Sequence, residues 1–432
     1  MGAPLKVAIA GLGTVGSGTA KLIQANADLI AARCGRPVQL TAIADKIKKS
    51  EPDISLDGIA WYDDAEKMVA QADVDVVVEL IGGMGVAKRT VEAALAKRRH
   101  VVTANKAMLA HHGLALAQAA ESAGVTLAFE AAVAGGIPII KALREGLAAN
   151  RISRVSGILN GTCNYILTTM RDSGRDFADV LNEAQKLGYA EADPSFDIDG
   201  VDAAHKLALL ATVAFGAKID IASVSVEGIR NVSAIDMQYA DEFGYRIKLL
   251  GIAEADDGGI SLRVSPCLVG LNAPLATVDG VFNAVVAEGD FVGRSVYEGR
   301  GAGERATASA VVADIMDIAA GRQVPTFGVP VASLKELSTK ALDRRVGASY
   351  VRLTVIDRPG VFADIASAFR DESVSMESVL QRGRNANANV NVVIVTHDVE
   401  DAALLRALKR LRSNDAVVEI PHMMRIETPQ PV

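Results

Sequence analysis

Short apolar runs alternate with segments of helical spacing over the first third of the chain. Five runs have the nearly continuous apolar character of parallel strands covered on both faces, at residues 5–10, 38–44, 74–80, 100–103 and 125–129. Between them, apolar residues recur every three or four positions and predict helices over residues 14–30, 90–97 and 109–123. This alternation predicts an α/β fold with a doubly wound parallel sheet over residues 1–136.

The pattern changes near Ala131, where a glycine-rich turn leads into a helix at Pro138, since proline fits the first turn of a helix. Further helices and strands, with shorter alternating runs, are predicted at residues 152–160, 176–187, 201–214, 224–226, 241–269 and 281–292. We therefore expect a second domain of mixed α+β type over residues 137–305. A helix at 307–320 and a loose stretch at 322–330 predict a helical return segment and linker over residues 306–346.

A third, separate unit is predicted over residues 347–427. Its strands are expected at residues 350–356, 375–382, 388–397 and 417–420, and its helices within 357–372 and 399–413. The resulting β-α-β-β-α-β order predicts a ferredoxin-like sandwich.

Composition and charge narrow the class of protein. The formal net charge of −7 gives no basic surface for nucleic acid or an anionic membrane, so neither is expected as a partner. The longest apolar run, at residues 207–217, is too short to cross a bilayer. The three cysteines are far apart and odd in number, which indicates a reducing compartment, and we expect a cytoplasmic protein.

The loop after the first predicted strand carries a glycine fingerprint. It reads Gly11-Leu12-Gly13-Thr14-Val15-Gly16 and opens a predicted helix. In this setting the first glycine permits a tight turn, the second admits a pyrophosphate, and the third allows close packing of helix and strand. The helix N-terminus would face the phosphate charge. These six residues predict a Rossmann-type site for a nicotinamide dinucleotide.

The end of the second predicted strand bears on which dinucleotide binds. Asp45 is placed to accept a hydrogen bond from a ribose 2′-hydroxyl, which favours NAD. Lys46, Lys48 and Lys49 follow directly, and basic groups favour the 2′-phosphate of NADP. The two signals conflict, and a solvated basic turn explains Lys48 and Lys49 equally well, so both cofactors stay open.

Two lysines are candidates for chemistry. Asp202 and Lys206 lie four residues apart on one face of a predicted helix that is otherwise apolar, so the pair is expected at a buried end, where a lysine exchanges its proton more readily. A surface ion pair is the alternative. Lys106 follows Thr103 at the carboxyl end of a predicted strand, the edge at which open α/β sheets bind ligands, although a solvated loop lysine is equally possible. Cys163 has no neighbouring base that would make it a nucleophile.

With these segments assembled, the chain resembles homoserine dehydrogenases that carry a C-terminal ACT domain. The resemblance covers nearly the whole length, and several separate motifs occur in the right order. They are the glycine loop, TANKAMLA, EAAVAGGIPII, ILNGTCNYIL, GYAEADPSFDIDGVDAAHK and GRGAGERATASAVVADI, followed by the DRPG turn at residues 357–360.

The resemblance implies reversible, NAD- or NADP-dependent reduction of L-aspartate 4-semialdehyde to L-homoserine, on the route to threonine and methionine. It implies that Lys206 donates and accepts the proton and that Lys106 lies beside nicotinamide and substrate. It implies that Glu191 and Asp202 bind the homoserine amino group, and the other substrate residues that it implies are Gly161, Thr162, Tyr189 and Asp197. Further cofactor contacts are implied at Thr103, Gly188, Gly303 and Glu304. Many members have Arg where this chain has Ala44, which weakens the implied preference for NADP.

The resemblance also implies a sodium ion held by Glu130 and by the backbone carbonyls of Val133, Gly135 and Ile137. It suggests homodimers or homotetramers, with threonine as an effector of the ACT domain near residues 357–360 and Gln381. Two other functions remain open at this stage. An acylating semialdehyde oxidoreductase would need a cysteine nucleophile, and a non-catalytic regulator would leave the lysines without a role.

Overall fold

The computed structural model describes residues 2–48, 54–381, 389–419 and 421–427. Lys49 and the predicted strand ends at 382, 388 and 420 lie outside these ranges. The first layer of the fold is a six-stranded parallel sheet in the order β3-β2-β1-β4-β5-β6. Its elements are β1 (Leu5–Ala10), α1 (Thr14–Ala25), α2 (Ala27–Cys34), β2 (Val38–Ala44), β3 (Ala60–Tyr62), α3 (Ala65–Gln71), β4 (Val76–Glu79), α4 (Val86–Ala96), β5 (His100–Thr103), α5 (Lys106–Ala123) and β6 (Leu127–Ala128).

This sheet confirms the predicted doubly wound fold. Val76, Val77 and Val78 of its central strand β4 are fully buried, as expected for a parallel strand covered by helices on both faces. The strand order reverses between β1 and β4. Ligands of such sheets bind outside the carboxyl ends of the strands at this reversal.

The helix predicted over residues 14–30 is two helices. Asn26 leaves the helical conformation, with φ −112° and ψ 23°, and separates α1 from α2. Asparagine favours such a break because its side chain competes for backbone hydrogen bonds, a local effect that apolar spacing does not register. Helix α2 then ends at Gly35, which has a left-handed φ of 75°.

The second layer is a mixed sheet, in accord with the predicted α+β domain. Its elements are α6 (Ile139–Lys141), β7 (Ile152–Ile158), α7 (Gly161–Ser173), α8 (Phe177–Lys186), α9 (Ser195–Ile198), α10 (Val201–Phe215), β8 (Ser225–Val226), α11 (Ala234–Glu242), β9 (Tyr245–Asp256), β10 (Gly259–Gly270), β11 (Phe282–Gly289), β12 (Gly293–Arg300) and α12 (Glu304–Ala319). The strands β9 and β10 span twelve residues each, longer than the short runs that we expected. Helices α7 and α11 were not predicted. Helix α11 has no clear apolar stripe, whereas α7 has one, formed by Cys163, Ile166, Leu167 and Met170, that the sequence analysis did not use.

Helix α12 returns to the first layer and packs against α1. Gly18 makes this contact possible, because a Cβ at that position would lie 2.6 Å from Cγ of Glu304. Val311 and Ile315 of α12 are fully buried in the same apolar cluster as β1 and β4. The division of the chain at residues 136, 305 and 346 stays a prediction.

The third unit has the predicted ferredoxin-like order, but it is not separate. Its elements are β13 (Val346–Gly347), β14 (Ser349–Ile356), α13 (Val361–Asp371), β15 (Met376–Gln381), β16 (Asn389–Thr396), β17 (Val399–Glu400), α14 (Asp401–Leu411) and β18 (His422–Glu427). The final strand was predicted wrongly at 417–420, where Val417 forms only an isolated bridge with Val355. Strand β18 instead pairs antiparallel with β14 and parallel with β10. The two units therefore share one sheet, in the order β12-β11-β7-β9-β10-β18-β14-β16-β15.

Candidate active site

The glycine loop lies at the strand reversal of the first sheet and has the geometry of a phosphate site. Gly11 has a φ of 98°, and a Cβ there would lie 2.7 Å from the carbonyl oxygen of Leu80. A Cβ on Gly16 would lie 2.0 Å from the carbonyl oxygen of Gly11, whereas the space around Gly13 is open. No side chain caps the start of α1 at Thr14. Its backbone N–H groups are thus available to a pyrophosphate, so these residues fit a dinucleotide.

Asp45 follows β2 beside this loop. Its Oδ2 accepts a hydrogen bond from the backbone N–H of Leu12 at 2.7 Å, and its Oδ1 accepts one from Ile47 at 3.2 Å. Lys48 is exposed, and its Nζ lies 5.9 Å from the centre of the Trp61 ring. The carboxylate therefore holds the glycine loop at Leu12.

The carboxyl ends of β4 and β5 hold a buried polar network. Glu79 Oε1 accepts from the backbone N–H groups of Ile81 and Gly82 at 2.9 and 3.0 Å. Its Oε2 accepts from the Thr103 hydroxyl at 2.6 Å. Asn105 then caps α5 by accepting from the N–H of Met108 at 3.0 Å. This network fixes the first turn of α5, where Lys106 lies. Sequence reasoning missed Glu79, whose signal was a single acid at the end of an apolar run.

Lys106, Asp202 and Lys206, with Asn160 and Asp197 beside them, form what we term the lysine cluster. Asp202 Oδ2 lies 2.7 Å from Nζ of Lys206, and Oδ1 lies 2.9 Å from Nζ of Lys106. Lys206 also donates to the carbonyl oxygen of Leu159 at 2.7 Å. The side chains of Asp202 and Lys206 are 3% and 9% exposed, so the pair is buried as expected and is no surface ion pair.

Burial and charge shift the proton affinities in this cluster. Burial lowers the pKa of Lys206, and the charge of Lys106 lowers it further against the opposing charge of Asp202. Burial alone would raise the pKa of Asp202, but the two lysine charges outweigh it and hold that pKa well below its usual range. Burial and the charge of Asp202 raise the pKa of Asp197. Lys206 thus gives up its proton more easily than a free lysine, beside a carboxylate that stays ionised.

Asn160 joins the acids of the cluster, and sequence reasoning did not single it out. Its Nδ2 donates to Oδ1 of Asp197 and to Oδ2 of Asp202, each at 2.8 Å. Its Oδ1 accepts from the N–H of Cys163 at 2.8 Å and so caps α7. The signal was present in the sequence as an asparagine after a predicted strand, directly before the Gly161-Thr162 pair.

The other implied substrate residues lie at the start of α7 and on the loop that follows α8. Gly161 and Thr162 open α7, and the Thr162 hydroxyl donates to the carbonyl oxygen of Tyr189 at 2.8 Å. The Glu191 side chain is exposed on the same loop, after Gly188. Gly303 and Glu304 lie at the opposite side, where Glu304 pairs with Lys21 of α1 at 3.2 Å. The structure thus brings Gly303 and Glu304 to the glycine-loop helix and Gly188 to the substrate side.

Three segments of the chain match known family models. Residues 138–316 match the model described as homoserine dehydrogenase, and residues 11–130 match that of the homoserine dehydrogenase NAD binding domain. Residues 349–414 match the ACT domain. A homoserine dehydrogenase of Neisseria gonorrhoeae is 44% identical over 431 residues, which is 98% of this chain and 99% of that relative. The chain belongs to the homoserine dehydrogenase family.

Solved structures agree with this membership of the homoserine dehydrogenases. One from Thiobacillus denitrificans is 42% identical, with a TM-score of 0.91 and 99% of both chains covered. A hyperthermophilic archaeal homoserine dehydrogenase in complex with NADPH is 26% identical, with a TM-score of 0.65 over 75% of this chain and 99% of that one. This chain is accordingly an NAD(P)-dependent oxidoreductase.

The turn at residues 130–137, which we term the cation turn, has main-chain oxygens that suit a cation in a homoserine dehydrogenase. The Glu130 carboxylate accepts from the backbone N–H groups of Ile140 and Lys141 at 2.9 and 2.8 Å. Burial and the charge of Asp314 raise the pKa of Glu130 to about 7. Among the hydrogen bonds of the described residues, none ends on the buried carbonyl oxygens of Val133 and Gly135. A cation here would therefore meet carbonyl groups, with Glu130 contributing its main chain.

Three further observations concern the Cys163 thiol, metal-binding groups and membrane-spanning helices of this homoserine dehydrogenase. Burial and the charge of Asp197 raise the pKa of the Cys163 thiol well above its ordinary value, so Cys163 is no nucleophile for an acylating reaction. Within the described ranges, no group of three or more His, Cys, Asp or Glu side chains is arranged to hold a metal ion. The described helices also include none with the length and apolarity to traverse a membrane.

Proposed function

We propose that this enzyme interconverts L-homoserine and L-aspartate 4-semialdehyde within threonine and methionine biosynthesis, with Lys206 moving the proton. The observation that carries the proposal is the buried Lys206–Asp202 pair, which Lys106 of the nucleotide-binding domain faces at 2.9 Å. A lysine whose pKa is lowered by burial is suited to acid and base chemistry at an alcohol oxygen. A regulator without catalytic activity would have no use for this buried ion pair, whose burial costs desolvation free energy.

The residues of the cluster divide the work of the reaction. Bound NAD(P) supplies the nicotinamide that accepts or donates the hydride. Two of the three donors of Lys206 are directed to Leu159 and Asp202, which leaves one for the substrate oxygen. Lys206 accepts the hydroxyl proton during oxidation and returns it during reduction. Lys106 places a second positive charge at the cleft, where it orients the substrate and stabilises negative oxygen.

The substrate amino group is assigned to the acids of the cluster. Asp202 already accepts from both lysines and from Asn160, so it offers little further capacity. We therefore assign the ammonium chiefly to Glu191 and Asp197, with Asp202 holding the lysines in place. Thr162, Tyr189 and Gly161 complete the wall on the α7 side. Fixing the amino group brings the reacting carbon to the nicotinamide edge of the cleft.

The experiment is an absorbance assay of nicotinamide reduction with L-homoserine and each cofactor. Asp45 supports NAD, whereas Lys46 and Lys48 support NADP, and an archaeal relative has been solved with NADPH. We expect turnover with both cofactors. If neither NAD nor NADP supports turnover, in a sample that still binds NADH or NADPH, the protein would instead be a sensor of dinucleotide and amino acid.

A sodium ion at the cation turn is part of the proposal. The carbonyl groups of Glu130, Val133, Gly135 and Ile137 are its ligands. The carbonyl oxygens of Val133 and Gly135, which accept no hydrogen bond from the residues that the structure describes, support the assignment. Replacing sodium chloride by choline chloride at constant ionic strength should lower the thermal unfolding midpoint. An unchanged midpoint would remove sodium from the proposal.

The proposal also includes control by an amino acid, with threonine as the first candidate. It further includes assembly into homodimers or homotetramers. The ACT match supports an amino-acid effector. In the ACT unit Gln381 Nε2 lies 3.4 Å from Oδ1 of Asp357, which brings the two predicted effector residues together. Three free cysteines support a cytoplasmic location. Light scattering with and without threonine would measure the assembly state.

A further inference from the structure

A cavity of about 530 Å³ lies between the second sheet, the linker and the ACT unit. Residues of β7, β9 and β10 form one wall, and residues 340–347 with the end of β18 form the other. None of its lining residues belongs to the glycine loop, the lysine cluster or the cation turn. The volume is within the range of small-molecule sites. The cavity is therefore separate from the proposed active site.

Its walls carry equal numbers of basic and acidic side chains. The basic ones are Arg154, Arg263, Lys340, Arg344 and Arg345. The acidic ones are Glu254, Asp256, Glu288, Asp398 and Glu427. Such a lining does not suit a polyanion, a lipid or a metal cation. It complements a small molecule that carries both charges.

Three guanidinium groups converge on one carboxylate inside the cavity. The carboxylate oxygens of Glu427 lie 2.8 Å from a guanidinium nitrogen of Arg154, 2.7 Å from one of Arg263 and 3.4 Å from one of Arg345. These arginines come from β7, β10 and the linker, and the Arg263 side chain is only 3% exposed. Its Nε is buried without a hydrogen-bond acceptor. Arginine forks of this kind select carboxylates, and here the chain supplies one from its own strand β18.

Other acids of the cavity are more open, and Glu254 of β9 lies on the same wall as Arg154 and Arg263. Glu254 is 39% exposed and lies 3.0 Å from Nε of Arg154 and 3.5 Å from Arg263. Arg344 and Asp398 are exposed at the linker and after β16. The cavity thus combines buried guanidinium groups with an accessible carboxylate a short distance away.

We propose that this cavity binds a small α-amino acid. Its carboxylate joins Glu427 among the guanidinium groups of Arg154, Arg263 and Arg345, and its ammonium group meets Glu254. Because Glu427 ends β18, and β18 pairs with β10, the ligand acts on the strand that joins the ACT unit to the second sheet. The site differs in position from the turn at residues 357–360.

The test is calorimetric titration of the full chain with L-alanine and L-threonine, each paired with its amino alcohol, L-alaninol or L-threoninol. The alcohols keep the ammonium group and lack the carboxylate. We expect at least one amino acid to bind, with at least about tenfold weaker binding of its alcohol, because a charge-assisted fork is lost. Absence of heat with both amino acids, or equal affinity for acid and alcohol, would overturn the proposal.

Variants locate the binding. Arg345→Ala and Glu254→Gln should each abolish or weaken it, and the exposed Glu254 serves if the arginine variant fails to fold. The matched control is Arg358→Ala, an exposed arginine on the 357–360 turn. Loss of binding in the control alone would place the ligand at that turn and overturn the proposal. Loss in Lys206→Met would place it in the active site, with the same consequence, while turnover of the Arg345 and Glu254 variants should stay unchanged.

Discussion

Nζ of Lys106 lies 2.9 Å from Oδ1 of Asp202, across the cleft between the two domains. Lys106 begins α5, which follows β5 of the first sheet, and Asp202 lies in the first turn of α10, which packs on the second sheet. Each partner is held by its own domain, Lys106 through the Asn105 cap and Asp202 through Asn160 and Lys206. The ion pair therefore sets the width of the cleft at the point where substrate and nicotinamide would meet.

Replacing Lys206 tests the proposed proton transfer. Lys206→Met should reduce kcat by about 10²- to 10⁴-fold, the usual contribution of a positioned acid or base. Binding of NADPH, measured by its fluorescence, should stay close to wild type because the glycine loop is untouched. The control is Lys218→Met, since Lys218 is 40% exposed and pairs with Glu336. A kcat within about twofold of wild type would exclude Lys206 from the chemistry.

The pH dependence of the two reaction directions should be opposite. The pKa of Lys206 lies below its ordinary value of 10.5 because the side chain is buried and faces Lys106. Oxidation needs neutral Lys206, so kcat for L-homoserine should rise as pH increases through this pKa. Reduction needs the charged form, so kcat for the semialdehyde should fall over the same range. Profiles of the same shape in both directions would contradict this assignment.

Asn160 is a positioning residue for the cluster. Asn160→Ala removes the donor shared by Asp197 and Asp202 and frees the start of α7. We expect kcat to fall about tenfold and the pH profile to shift, since the two acids then lose the group that separates them. Asn150→Ala, at a turn before β7, is the matched control. A change in stability alone, with an unaltered pH profile, would make Asn160 merely structural.

Asp45 should influence the choice of cofactor. Asp45→Ala removes an acceptor for a ribose 2′-hydroxyl and a charge that repels a 2′-phosphate. It also releases the N–H of Leu12, so affinity for both cofactors should fall. The ratio of kcat/KM for NADP to that for NAD should nevertheless rise severalfold. An unchanged ratio, with Asp57→Ala as the control, would confine Asp45 to holding the loop.

The contact between α11 and the ACT unit should matter for stability. Buried Asp236 accepts from the Tyr350 hydroxyl at 2.8 Å and from Nε of Arg352 at 2.8 Å. Asp236→Asn should lower the free energy of unfolding by about 3 kcal/mol, because it leaves a buried guanidinium without its counter-charge. Glu419→Gln, 3.9 Å from the same arginine but 61% exposed, should cost less than about 1 kcal/mol. Equal effects in denaturant titrations would contradict this difference.

The same aspartate gives that stability a pH dependence. Burial alone would raise the pKa of Asp236, but its bonds and charge pairing with Arg352 outweigh burial and keep it below the ordinary value of 3.8. A lowered pKa in the folded state favours folding above pH 3.8, and this contribution is lost as pH falls through the folded value. Acid unfolding of Asp236→Asn should lack this component.

The sequence was sufficient for features that depend on local pattern. The glycine loop, the apolar strands around Val77 and the helix that buries Lys206 each follow from spacing along one segment. The break at Asn26 was missed because a single polar residue hardly alters an apolar stripe. Helix α7 was missed although its signals are local, since it has the Asn160 cap and an apolar stripe that includes Ile166 and Met170.

Features that depend on contacts between distant segments could not be predicted from the sequence. Asp202 and Lys206 were recognisable as a pair, but the approach of Lys106 follows from the packing of two domains. That of Asn160 follows from the packing of β7 against α10 within the second domain. The path of β18 was equally hidden, since nothing in residues 422–427 indicates pairing with Cys267–Val269 of β10. Tertiary context decides such pairings, and they override the apparent independence of the last unit.

The sharing of β18 has a consequence for how the chain is made. Because synthesis runs from the N-terminus, β10 emerges from the ribosome long before β18 and waits with the edge at Cys267–Val269 unpaired. An unpaired, apolar edge is a site of association with other chains. The nascent second domain therefore carries an unpaired strand edge until the last strand is made and pairs with it.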